Sequence, residues 1–113
     1  MSGLPEITAA EAIARAEAGT ARLVDVREQD EWDRGHSPLA TLVPMSQLQA
    51  RLGEIPDDEP LLIVCHAGVR SARVTQALVR AGYDASNVAG GMTAWVAAGG
   101  PLDAQAGREP RID

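Results

Sequence analysis

Hydrophobic positions along the chain fall into short blocks separated by glycine, proline and charge. The clearest block is LLIV at 61–64, a continuous apolar run after Pro60, as expected for a centre strand covered on both faces. Residues 21–26 (ARLVDV) and 40–43 (ATLV) read as further short buried strands, and 84–88 as one more. Between them lie segments with helical spacing. Thr8 followed by Glu11 matches a capping box and predicts a helix over 9–18, ended by Gly19. Residues 28–34 are charged and predict a short surface helix, with Trp32 as its one inward anchor and Gly35 as its stop. Ser46 is placed to cap a helix running to about 52. A further helix begins at Arg70 or Ser71 and runs to about 81, with Val74, Ala77, Leu78 and Ala81 lining one face and Gly82 as its cap. A last helix is predicted over 93–98, packed through Trp95 and ending at Gly99-Gly100-Pro101. Asp57, Asp58 and Glu59 mark a solvated turn, and the polar tail after Leu102 is expected to fray.

Strands alternating with helices imply an α/β fold with a mainly parallel central sheet of about five strands, flanked by helices. The 113 residues fit one domain over 1–113, with its core over about 7–102 and a polar tail over 103–113. Hydrophobic residues make up 45% but aromatics only 3%, with no Phe, so the core must be built from Val, Leu, Ile and Ala. The formal net charge of −6, without a Lys/Arg cluster, argues against nucleic-acid binding. Residues 1–19 carry early acids and no long apolar run, so no signal peptide is expected. No stretch approaches the roughly 18 consecutive apolar residues that a membrane helix needs. A single cysteine cannot form an internal disulfide, which points to a reducing, cytoplasmic compartment.

Cys65 stands where the LLIV strand ends, and in open α/β sheets ligand sites lie at the carboxyl ends of strands. Gly68 lets the following loop turn sharply, and the next helix points its free N–H groups and positive dipole end back over that loop. Such a setting favours the nucleophilic thiolate and forms a nest of donors for an anion. Arg70 adds a permanent positive charge within reach of the same pocket. The bland alternative is a buried structural cysteine, which the loop, the arginine and the helix together disfavour. Arg27 stands either at the pocket mouth, binding an anionic donor, or in a surface ion pair with Glu28 or Glu31. Asp25 is expected to brace the active-site loop by accepting N–H bonds. His66 faces the pocket or points outward; His36 shapes a turn. Gly90 and Gly91 are read as turn residues that admit close backbone approach. Two histidines and one cysteine do not make a zinc site, and no metal or cofactor is expected.

Cys-His-Ala-Gly-Val-Arg-Ser, directly after a buried strand, resembles the active-site loop of rhodanese domains. LVDVREQDEWDRGHSPLA at 23–40 resembles the family's upstream Asp-Val-Arg and Gly-His-x-Pro-x-Ala signature, with Leu39 where the family usually has Gly. VAGGMTAWVAAGGPL at 88–102 resembles its Gly-Gly-x-x-x-Trp block, and SARVTQALVRAGY at 71–83 the helix behind the loop. The likeness runs from about 7 to 102 and implies a thiosulfate sulfurtransferase. Cys65 would take the outer sulfur of thiosulfate or a related anionic donor, release sulfite, and carry a persulfide to cyanide or to a thiol or protein acceptor. The loop of His66, Ala67, Gly68, Val69, Arg70 and Ser71 would hold the anion. Other readings are a non-catalytic interaction module, or a persulfide carrier fed by a protein donor. A phosphatase or arsenate reductase is disfavoured. Four residues separate Cys65 from Arg70 here, whereas related phosphatases have five and a wider loop.

Overall fold

The apolar run at 61–64 can satisfy its backbone only inside a sheet, and it does so at the centre of one. A computed structural model describes residues 3–105 and 107–112; residues 1, 2, 106 and 113, which the expected 1–113 domain includes, lie outside that description. In chain order the elements are β1 (Glu6–Ile7), α1 (Ala9–Ala18), β2 (Arg22–Asp25), α2 (Gln29–Arg34), β3 (Ala40–Leu42), β4 (Leu61–Val64), α3 (Val69–Arg80), β5 (Ala85–Val88) and α4 (Gly91–Ala97). The strands form one sheet in the order β1-β5-β4-β2-β3, and every pairing is parallel.

Period-two alternation sends residues of β4 to opposite faces. Leu61 and Ile63 join Val24, Val26, Val74, Leu78 and Ala85 on the face covered by α3. Leu62 and Val64 join Ala12, Leu23, Val88, Met92 and Trp95 on the face covered by α1 and α4. Burying each such aliphatic side chain stabilises the fold by about 1.5–3 kcal/mol. Cys65 follows two residues after Ile63 and belongs to the α3 face. The parity of the strand thus delivers the thiol to the side where α3 begins.

Several expectations are corrected. β1 is two residues long, too short to leave a pattern, and pairs with β5 at the sheet edge. The helix expected over 46–52 is replaced by two 3-10 turns, Met45–Gln47 and Leu52–Glu54. Ser46 caps nothing there, because its N–H and Oγ both bond to Glu28. α3 starts at Val69, and its buried stripe is Ser71, Val74, Thr75 and Leu78; Ala77 and Ala81 are exposed. α4 starts at Gly91 rather than at 93. α2 has no fully buried residue; Trp32 is half-buried and stacks on His36 with ring centroids 3.9 Å apart. Leu39 takes an ordinary backbone conformation, since no non-glycine residue among those described has a positive φ.

Among its described residues the tail is anchored to the domain rather than free. His36 and Asp103 exchange both main-chain hydrogen bonds, at 2.9 and 2.8 Å. The Gln105 N–H donates to the Asp33 carbonyl and the Arg111 N–H to the Arg34 carbonyl, while Ile112 packs on the α1–α4 side of the core. Gly35 makes room for this strap, because a Cβ there would overlap the Arg111 backbone. Gly35→Ala should therefore push the strap off α2. Trypsin cleavage after Arg108 and Arg111 is expected to become about tenfold faster, as for a local protection weakened by roughly 1.4 kcal/mol. Unchanged cleavage would mean the strap tolerates the methyl group.

Candidate active site

The Cys65 side chain is 1% exposed, and its sulfur is a convergence point. Sγ accepts the N–H of Gly68 at 3.2 Å and the N–H of Ser71 at 3.3 Å, with Ser71 Oγ a further 3.2 Å contact. Gly68, at φ 98°, is the N-cap of α3, a left-handed turn that a side chain would strain. The opposite side of the loop is held by α4. Met92 N–H donates to the Cys65 carbonyl at 2.8 Å, and Thr93 N–H to the His66 carbonyl at 3.1 Å. The approach is so close that a Cβ on Gly91 would overlap both carbonyls. The N–H groups of His66, Ala67, Val69 and Arg70 bond to no protein acceptor among the described residues. Donors on the sulfur and unused donors beside it form a cradle for a sulfur-centred anion.

A buried polar chain lies behind the sulfur. Ser71 Oγ is 2.6 Å from Asn87 Oδ1, while Asn87 Nδ2 donates to the Gly68 carbonyl at 3.3 Å and to Glu6 Oε2 at 3.1 Å. Both partners of Nδ2 only accept, so the amide orientation is fixed. Ser71 has one hydroxyl proton and two acceptors for it, Asn87 Oδ1 and Cys65 Sγ. A protonated sulfur can donate to Ser71, which then donates to Asn87; a bare thiolate or persulfide competes for the same proton. Sequence reasoning missed Asn87 and Glu6, whose positions join the loop only through sheet pairing.

The two arginines do not stand where expected. Arg27 is 1% exposed and lies inside the fold, not at the pocket mouth and not in a surface pair with Glu28 or Glu31. Its guanidinium bonds to both Asp25 oxygens, at 2.8 to 3.1 Å, and to the carbonyls of Gly35 and Glu31. Asp25 also accepts the Arg27 N–H, and none of its bonds reaches the 65–71 loop, so it braces Arg27 rather than the loop. Arg70 is beside the site but engaged. Its NH1 and NH2 meet Glu31 Oε1 and Oε2 at 2.7 and 2.8 Å, a fork-to-fork pair. The Arg70 hydrogen bonds, opposed by partial burial and helped by the Glu28 N–H, hold the Glu31 carboxyl down at about 2. In turn Glu31, then the Cys65 and Asp25 charges, raise Arg70 above its ordinary value. Glu31 is a third residue whose role sequence reasoning missed, having named it only as a possible surface partner of Arg27; its local signal is the capping box with Glu28.

Toward solvent the loop is open. Ala67 is exposed, Val69 is 66% exposed, and the half-buried His66 ring makes no hydrogen bond among the described residues. No three His, Cys, Asp or Glu side chains converge on a metal position among the described residues. No helix there is long and apolar enough to cross a membrane.

Comparison with known proteins agrees with this geometry. The rhodanese-like domain model matches residues 8–98. The chain is 39% identical to YqhL of Bacillus subtilis over 92 residues, 80% of this chain and 71% of that protein. It is 37% identical to a sulfurtransferase of Allochromatium vinosum over 86 residues, 75% of this chain and 80% of that one. A rhodanese-like domain protein of Staphylococcus aureus superposes with a TM-score of 0.76 at 36% identity, covering 96% of this chain and 99% of that one. In some longer relatives the match spans less than half of the protein.

Two outcomes follow from the site's interactions. Asn87→Ala leaves the Gly68 carbonyl and the Ser71 hydroxyl without their buried partner, and should cost about 1–3 kcal/mol in urea unfolding. An unchanged midpoint would remove Asn87 from the loop's support. Glu31 falls from its ordinary value of 4.5 to about 2 on folding. Between those values the unfolded chain binds a proton that the folded one does not, so stability declines as the pH drops. The stability gap between wild type and Glu31→Gln should hold steady above about pH 4.5 and close toward pH 2. A gap independent of pH would contradict the ion pair's role.

Proposed function

The chain belongs to the rhodanese-like domain family, and we propose that it is a sulfurtransferase that carries sulfane sulfur as a persulfide on Cys65. The observation that carries this reading is the pair of backbone N–H groups, from Gly68 and Ser71, aimed at a buried Sγ at the carboxyl end of the central strand. These donors favour the anionic sulfur, both before it attacks and after it is loaded.

In the first half-reaction the Cys65 thiolate attacks the outer sulfur of the donor. With thiosulfate, the donor's S–S bond breaks and sulfite leaves with the electron pair, so Cys65 carries –S–S⁻. The unused N–H groups of His66, Ala67, Val69 and Arg70 receive the negative charge of donor and persulfide. In the second half-reaction an acceptor thiolate, or cyanide in an assay, attacks the outer sulfur; the Cys65 S–S bond breaks and the thiolate is restored. Cys65 is the only cysteine, so no second thiol in the chain can resolve the persulfide. The acceptor comes from outside, and the exposed Ala67 and Val69 leave the loop open to a thiol or to a protein. The same openness suits a carrier fed by a protein persulfide. Neither half-reaction calls for a cofactor, and a single free thiol suits a reducing cytoplasm.

Intact-mass measurement tests the reading. Thiosulfate should add one sulfur atom to the protein, and cyanide should remove it; Cys65→Ala should never gain it. Gain from a protein persulfide but not from thiosulfate would select the carrier. Normal turnover by Cys65→Ala would overturn the assignment.

A further inference from the structure

Charge around the sulfur is balanced pair by pair. From the end of β2 comes Asp25 and from the turn after it Arg27, bonded to each other. From α3 comes Arg70, and from α2 comes Glu31 to meet it. Glu28 of the α2 cap turns to Ser46, and Glu6 of β1 ends the Asn87 chain behind the sulfur. His66 of the loop makes no hydrogen bond with its ring among the described residues. Neither arginine therefore offers the site an unneutralised charge, and the remaining attraction for an anion comes from backbone dipoles.

The Arg70–Glu31 pair is built into the fold. Both guanidinium ends meet both carboxylate oxygens, with the Glu31 side chain 15% and the Arg70 side chain 35% exposed. Glu31 Oε1 also accepts the Glu28 N–H at 3.0 Å, closing the cap of α2, so the carboxylate cannot turn away without breaking that cap. A donor that needs Arg70 must displace a carboxylate that stays ionised throughout the neutral range. Thiosulfate is a dianion approaching a thiolate and feels this neutralisation in full. The persulfide of an uncharged thiol carries at most one negative charge and feels it less.

We propose that Glu31, by occupying Arg70, is the specificity-determining residue of the site and turns its donor preference from thiosulfate toward thiol persulfides of low charge. The inference rests on the Cys65 persulfide reading. The favoured first step is Cys65–S⁻ + R–S–S–H → Cys65–S–S–H + R–S⁻. The donor's S–S bond breaks, R–S⁻ leaves with the electron pair, and the proton stays on the transferred sulfur.

The test compares single-turnover loading of Cys65, by intact mass, from thiosulfate and from the persulfide of 2-mercaptoethanol. Glu31→Gln keeps the side chain's size and an acceptor for the Glu28 N–H while removing the charge. It should raise the ratio of thiosulfate to persulfide loading efficiency about tenfold, mainly through a lower half-saturating thiosulfate concentration. Glu31→Asp, which keeps the charge, should stay near the wild-type ratio and serves if the glutamine variant folds poorly. The gain should vanish in the Glu31→Gln/Arg70→Ala double variant. A merely structural role would lower both donors together and leave the ratio unchanged; that result, or a fall in the ratio, overturns the proposal. Loading of wild type by both donors with no change of ratio defeats this inference alone. Loading by neither donor in any variant defeats this inference, and the persulfide reading falls with it if a protein persulfide also leaves Cys65 unloaded.

Discussion

A peptide bond is a rigid plane, so a carbonyl pulled one way sends the next N–H the other way. The loop after β4 depends on that constraint. The first N–H groups of α4 draw the Cys65 and His66 carbonyls to one side, and the N–H groups of His66 and Ala67 are turned away from α4 as a result. Gly68 then reverses the chain so that its own N–H and that of Ser71 reach the sulfur. Gly91 is required because α4 must come this close. A bulkier residue there would loosen the carbonyls and with them the direction of the donors.

The charged groups are arranged by a different rule. A buried guanidinium without its carboxylate is costly, on the order of 3–5 kcal/mol, so Arg27 and Asp25 stand or fall together. Their pair does more than neutralise charge. Through the Gly35 and Glu31 carbonyls Arg27 ties the end of β2 to both ends of α2. That holds the main chain of Glu31, whose carboxylate is then directed by the Glu28 N–H and by Arg70. The charge beside the sulfur is thus tied to a buried residue two contacts away from it.

Much of this was legible in the chain and some was not, for physical reasons. LLIV announces itself because a strand covered on both faces must be apolar throughout, and α1 because Thr8 and Glu11 cap it locally. The loop was legible because Cys65, Gly68 and the start of α3 are neighbours in sequence. Glu31 and Asn87 were not, since their partners lie 39 and 16 positions away and meet only through the sheet. Arg27 was misplaced because charge defaults to the surface until a buried partner is known. The tail was misread because its side chains are polar, while its anchors are main-chain bonds that composition does not reveal. Ser46 looked like a cap because nothing local shows that Glu28 would claim it.

The absence of a buried residue from α2 has a dynamic consequence. Local opening free energies follow buried contacts, and α2 is held mainly by polar bonds to Arg27, Arg70, Ser46 and the strap. Its loss would cost the apolar core least of the four helices, and Glu31 would go with it. In such an opened form Arg70 would regain a free guanidinium beside Cys65. The charge of the pocket would then depend on the stability of six residues that add nothing fully buried to the core.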